Sequence, residues 1–204
     1  MKVIQKVLWR AKLIYLLIPL LVASCSEEPE KSTTPQRYAF LMIDIEAPGL
    51  ITELQKTIDH ADLYFNANTG SDGIEKDLHI TLAGYLDNTT SLDALKEYLP
   101  PIDEYEIYLT DISLFESETA DVLKCSAQSS LLAEVNATIM SNFKNYYKFK
   151  DYSPHVTIAY LKPGIGAKYL ANRPDELTEP VKVKAVGYSY SFYDSNDKQQ
   201  RITF

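Results

Sequence analysis

The chain predicts an α+β fold made of two similar halves, and three observations predict it. One short pattern occurs twice, first as Leu78-His79-Ile80-Thr81-Leu82-Ala83-Gly84-Tyr85-Leu86 and later as Ser153-Pro154-His155-Val156-Thr157-Ile158-Ala159-Tyr160-Leu161-Lys162. Alternation and β-branched content make each copy a strand. Around the copies, segments of helix and strand periodicity interleave in the order β-α-β-α-β-β-α-β-α-β-β. Adjacent strands in that order are hairpins, which exclude a purely parallel sheet.

Taken in order, residues 37–46 (RYAFLMIDIE) are dense in apolar side chains and read as a central strand, broken by Pro48-Gly49. Leu50, Leu54 and Ile58 recur at i, i+4 and i+8, so the spacing predicts an amphipathic helix over 49–60. His60 closes that helix, where a cation suits the dipole, and reads as a surface or capping residue. Residues 62–64 read as a short extended piece, and 66–73 (NANTGSDG) as an exposed turn. The first histidine strand spans 77–86. Ser91 then caps a short helix that runs to Leu99 and stops before Pro100-Pro101.

Residues 104–115 alternate as a strand and pair with 119–126 across a polar turn. Ser129 or Ser130 caps the longest expected helix, whose stripe is Leu131, Leu132, Val135, Ile139, Met140 and Phe143. A basic-aromatic connector over 145–152 leads into the second histidine strand, which Pro163-Gly164 stops. A short helix near 166–171 and a loop through Pro174 and Pro180 follow. Residues 181–193 read as one long strand, and 199–204 close a hairpin over the turn at 194–197.

The N-terminus is separate. Lys2, Lys6, Arg10 and Lys12 precede an apolar run from Leu13 to Val22 that ends in Ala23-Ser24-Cys25. A basic start, a short apolar core and small residues before a cut describe a secretory signal rather than a membrane span. The Val22-Ala23-Ser24-Cys25 ending resembles a bacterial lipobox, which implies lipidation of Cys25 and a signal peptide over 1–24. Residues 25–36 are acidic and polar and cannot bury apolar surface, so they read as a disordered tether. The acidic run after Cys25 resembles export signals that carry some lipoproteins to the outer face of the outer membrane. A merely solvated acidic stretch is the plainer alternative. The globular domain is then 37–204.

Removing the first 24 residues takes away four of the 20 basic residues and none of the 28 acidic ones, leaving a net charge of −12. That balance excludes a broad grip on long nucleic acid, which needs Lys and Arg along the phosphates. A small anionic substrate in a local pocket remains compatible. Cys125 would be the one cysteine left unmodified, so no disulfide framework is available. Its alternating apolar context makes it a small buried hydrophobe rather than a nucleophile.

On a strand, residues i and i+2 share a face. His79 therefore points with Thr81, and His155 with Thr157, while Ile80, Leu82, Val156 and Ile158 point to a core. Two of the chain's three histidines fall in this repeated pattern. Two imidazoles and two hydroxyls in one cleft supply proton transfer and anion stabilisation, the chemistry of metal-free phosphodiester cleavage. A metal site is the weaker reading. His-x-Thr offers one good ligand per strand, with Asp77 on the face of His79 as the only addition, and hydrolytic zinc sites want three protein ligands.

Two His-x-Thr-apolar motifs in a chain of this size resemble the two-histidine (2H) phosphoesterase superfamily, which includes the bacterial 2′-5′ RNA ligase and cyclic phosphodiesterase family. The resemblance covers about residues 37–204, and the segment from Asp121 to Ser126 with the long helix after it also looks familial. It implies two pseudo-symmetric antiparallel-sheet and helix lobes around a central cleft, with one motif from each lobe. It implies His79 and His155 as general acid and base, Thr81 and Thr157 as phosphate-binding hydroxyls, and no metal or other cofactor.

There are departures: Tyr160 stands where some members carry Arg or Lys, with Lys162 two places on, and Leu78 replaces a common Pro. Tyr85, Tyr160 and Lys162 are accordingly candidates to touch substrate, with simple packing or surface placement as the plainer alternative. The implied substrate is a small nucleotide or short oligonucleotide, with the protein expected to act as a monomer tethered to the membrane through Cys25. Two other readings stay open: a non-catalytic surface lipoprotein binding nucleotide or RNA ends on the same fold, and an interaction protein whose histidines are incidental.

Overall fold

Two four-stranded halves meet along one line of a single curled antiparallel sheet. The computed structural model describes residues 36–65, 73–171 and 179–204. The expected signal segment, Cys25, nearly all of the tether, the turn over 66–72 and the loop around Pro174 lie outside the described residues. The elements are β1 (Tyr38–Ile45), α1 (Gly49–Lys56), β2 (His79–Asp87), α2 (Leu92–Lys96), β3 (Ile107–Phe115), β4 (Asp121–Gln128), α3 (Ser130–Asn142), β5 (His155–Leu161), α4 (Gly166–Ala171), β6 (Val181–Val183), β7 (Ala185–Tyr193) and β8 (Gln199–Thr203). Among the described residues the strand order is β6-β3-β4-β5-β2-β1-β7-β8. The order reads the same from either end, with β2 matching β5, β1 matching β4 and β7 matching β3. The α+β arrangement of two like halves follows.

Three differences from the sequence expectation have a clear physical reason, two of them local. The helix expected over 49–60 ends at Lys56 because Thr57 turns its hydroxyl onto the Leu54 carbonyl at 2.7 Å. Asp59 then leaves helical geometry and accepts from the Ala61 amide, opening a 3₁₀ turn at His60–Asp62. Such short polar side chains compete with the helix for its own backbone groups. The strand expected from 104 begins at Ile107 because Ile102–Glu104 form another 3₁₀ turn.

The third difference is topological. Residues 181–193 are not one strand: β6 pairs with β3 at one end of the sheet, while β7 pairs with β1 near the other. Only Lys184 separates them, and consecutive Cα atoms are about 3.8 Å apart. The two ends of the sheet must therefore curl toward each other, and the Glu46 amide clasps the Lys184 carbonyl at 2.9 Å where they meet.

Side-chain alternation decides which face is core. Leu41, Ile43, Ile80, Leu82, Leu123, Cys125, Val156 and Ile158 are fully covered and belong to one cluster. Burial pushes the Cys125 thiol up to about 11, so at neutral pH it is an inert thiol packed as a hydrophobe. The helices cross over between halves: α1, from the first half, packs against β5, and α3, from the second, packs against β2. Ile51 and Leu54 of α1 and Leu132, Val135 and Ile139 of α3 are buried there. Among the described residues no helix is long and apolar enough to cross a membrane.

Each histidine strand carries a bulge at the same place. Thr81 pairs with Met42 and Ala83 with Leu41, leaving Leu82 as an extra residue. Thr157 pairs with Lys124 and Ala159 with Leu123, leaving Ile158 extra in the same way. A bulge removes a residue from its ladder and exposes its backbone groups. Here the crossed helices supply the missing donors. Asn136 of α3 donates to the Leu82 carbonyl at 2.7 Å, and Gln55 of α1 donates to the Ile158 carbonyl at 3.0 Å. Leaving the Leu82 carbonyl buried and unpaired would cost about 1–3 kcal/mol, whereas the Ile158 carbonyl also accepts from the Glu75 amide at 3.2 Å. Both bulged residues lie three positions after a motif histidine, so these amides hold the site strands in place.

Candidate active site

The site is organised by one strand contact. β2 and β5 register through Ile80 and Val156, both with no exposed surface. In an antiparallel pair, neighbours of a facing pair also face each other. His79 therefore lies beside Thr157, and Thr81 beside His155. All four point away from the core, because Ile80 and Val156 point into it. A local two-fold axis through the Ile80–Val156 pair carries His79 onto His155 and Thr81 onto Thr157.

The two imidazoles are held alike. His79 Nδ1 lies 2.6 Å from the Asp77 carbonyl, and His155 Nδ1 lies 2.7 Å from the Ser153 carbonyl. A carbonyl only accepts, so each Nδ1 carries the proton and each neutral ring turns a bare Nε2 outward. That tautomer is ready to take a proton from a substrate or water, and its protonated form is ready to give one.

The surroundings break the symmetry. Beside His79 in β1 stands Asp44, and two pairs further along Met42 faces Thr81. Asp44 accepts from Ser189 at 2.8 Å and from Arg201 at 2.7 Å, while the other arm of Arg201 reaches Asp77 at 3.4 Å. Beside His155 in β4 stands Ser126, and Lys124 faces Thr157. Lys124 is only 5% exposed. Its ammonium donates to Ser113 at 2.8 Å and lies 4.4 Å above the Phe115 ring. Phe115 in turn meets His155 edge-on, with centroids 5.0 Å apart. Burial pushes the His155 imidazole below its ordinary range. The Ser153 carbonyl opposes the shift, and the positive charge of Lys124, joined by that of His79 whenever His79 is protonated, adds to it.

A cavity of about 510 Å³ opens over the His79 side, lined by His79, Thr81, Tyr160, Phe40, Gln199 and Arg201 among others. Its size suits a small ligand. Arg201, Gln199 and Ser191 come from the C-terminal hairpin, and the spacing of the motifs carries no sign of them. Their one sequence signal is the hairpin register itself, which sets Arg201 opposite Ser191.

The three residues singled out as substrate contacts separate in space. Tyr160 lies five residues after its histidine, a step that unbroken alternation would send to the core face. The Ile158 bulge returns it to the cleft side, where it lines the cavity. Tyr85 lies six residues after its histidine, with Gly84 at the matching fifth place. A side chain on Gly84 would press the Phe40 ring at 3.2 Å. Tyr85 takes a positive φ of 57° and packs its ring among Tyr38, Phe40, Tyr147 and Phe149. Lys162 donates to the Ala61 carbonyl at 2.7 Å and is not part of the cavity lining. Exposed His60 begins the 3₁₀ turn after α1 and does not line the cavity either. Asp77 is tied to Arg201. Among the described residues no three His, Cys, Asp or Glu side chains converge as metal ligands would.

The sequence matches the model of the 2′-5′ RNA ligase superfamily over residues 52–186, which takes in both His-x-Thr strands. No curated protein matches it. Among solved structures it is similar to Usb1 of Kluyveromyces marxianus, with a TM-score of 0.49 and 8% identity, covering 83% of this chain and 99% of that one. The same protein with uridine monophosphate gives a TM-score of 0.48 and 9% identity, over 83% and 99% of the two chains.

Proposed function

This chain belongs to the 2′-5′ RNA ligase superfamily, and from that premise we propose that it is a metal-independent phosphodiesterase. Its substrates are small phosphodiesters, either 2′,3′-cyclic nucleotides or 2′-5′-linked oligonucleotides. The observation that carries the reading is the two-fold arrangement of His79/Thr81 and His155/Thr157 about one strand pair, each imidazole presenting Nε2 outward. In the proposed step one imidazole takes a proton from water as its oxygen bonds to phosphorus. The other gives a proton to the ribose oxygen as the P–O bond breaks. Thr81 and Thr157 donate to the non-bridging oxygens, where charge builds.

The cavity of about 510 Å³ and the net acidity of the chain support a small substrate over long nucleic acid. The reading is tested by following phosphorus NMR of 2′,3′-cyclic nucleotides and 2′-5′ dinucleotides in EDTA. Ring opening or linkage cleavage is expected, and no turnover on either class would sink it. Tight binding without turnover that survives loss of either histidine would assign the cleft to a binding module instead.

The Val22-Ala23-Ser24-Cys25 ending supports a further part of the proposal: that Cys25 is lipidated and holds the domain outside the cytoplasm on the outer membrane. The expected result is incorporation of labelled fatty acid that disappears in Cys25→Ser. Labelling that persists in that variant would overturn it.

A further inference from the structure

We propose that Lys124 divides the labour between the two symmetric histidines, making His155 the base that activates water and His79 the acid that protonates the leaving oxygen. The assignment rests on the phosphodiesterase reading above and deepens it. A two-fold site offers two equivalent imidazoles, yet the reaction needs one neutral and one protonated at the same moment. Something outside the motif has to distinguish them.

The backbone framework repeats faithfully, so the difference lies in side chains at matching places. Where Asp44 stands beside His79, Ser126 stands beside His155. Where Met42 faces Thr81, Lys124 faces Thr157. Ser189 and Ser113 occupy the next matching place, bonding Asp44 in one half and Lys124 in the other. One half thus carries a carboxylate and a thioether where the other carries a hydroxyl and an ammonium.

The ammonium is held rather than free to swing. It is 5% exposed, hydrogen-bonded to Ser113 and seated on the face of Phe115, whose ring also meets His155 edge-on. A cation in so dry a place acts through little screening. The charged and titratable groups acting around His155 are Lys124 from β4, His79 from β2 and, through Lys124, Asp111 from β3. Two of these disfavour a proton on His155; burial pulls the Lys124 ammonium down, and Asp111 opposes that pull and helps to keep it charged. Phe115 adds desolvation on the same side. Held neutral, His155 takes the proton from water, and the acid role falls to His79.

Lys124 is a positioning residue in this scheme, acting through His155 rather than on substrate. The test is Lys124→Met, which installs the residue that the other half already uses, with Lys124→Arg as the charge-keeping control. The His155 imidazole is followed by nitrogen NMR against pH, and kcat/KM for a 2′,3′-cyclic nucleotide is profiled against pH. Loss of the cation should raise the pH at which His155 loses its proton. The acid limb of the rate profile, which reports the base, should move to higher pH with it. Lys124→Arg should restore both.

If the alkaline limb moves instead, His155 is the acid and the assignment is overturned. An unmoved His155 titration in Lys124→Met also overturns it, and this reading needs no turnover. If Lys124→Met does not fold, Lys124→Gln gives the same comparison. Absence of turnover in the unaltered protein would remove the phosphodiesterase reading and the assignment with it. A working enzyme with an unmoved acid limb would remove the assignment alone.

Discussion

His79→Ala and His155→Ala are each expected to lower kcat on a 2′,3′-cyclic nucleotide by about 10²–10⁴-fold, the usual weight of one positioned acid or base. The fold should survive, because both rings sit on the cleft face and the core beneath them is Ile80 and Val156. Each truncation gives up one hydrogen bond, to the carbonyl of Asp77 or Ser153, beside partly exposed backbone. The double variant should be little worse than the more damaging single one, since the two groups act in the same step and their losses do not add. Steady-state kinetics with a thermal melt on each variant checks this. A variant that keeps its rate to within a few-fold would remove the acid–base mechanism. A loss of melting temperature parallel to the loss of rate would make the effect structural.

Thr157→Val and Thr81→Val are expected to lower kcat about 10²-fold each, with the smaller part of the effect in KM. Removing one donor from a developing oxyanion costs that much when the site is shielded from water. Valine keeps the branched shape, so the strand should not notice the exchange. Thr157 is the sharper case, being 8% exposed and facing the buried Lys124. Tyr160 also lines the cavity. Tyr160→Phe should cost much less than Thr157→Val, because it leaves the Thr157 donor in place. Equal losses in the two variants would mean that the hydroxyl pair, and not Thr157 alone, faces the phosphate.

Much of this geometry is legible before any coordinates. Period-two alternation decides that His79 and Thr81 share a face and that Ile80 does not, because a strand has no other way to dispose of its side chains. The stripe from Leu132 to Ile139 likewise demands a helix with one buried face, and α3 has it. The failures come where side chains take over nearby backbone groups, or where strands pair with partners distant in sequence. Asp59 and Thr57 stop α1 four residues early by bonding the backbone themselves. The run 181–193 looks continuous because each residue alternates correctly. Its division between β3 and β1 depends on how tightly the whole sheet curls.

Local periodicity is enough to set two His-x-Thr strands, the face each side chain takes and the helices that cover the core. Tertiary structure alone decided that the strands meet at Ile80 and Val156, which turns two separate motifs into one two-fold site. It also decided that bulges at Leu82 and Ile158, held by amides from the crossed helices, shift the register beyond them and bring Tyr160 back to the cleft. Lys124 and Arg201 enter only through strand pairing. Their positions depend on hydrogen-bond registers between segments far apart in the chain, and a one-residue change of register moves a side chain to the opposite face.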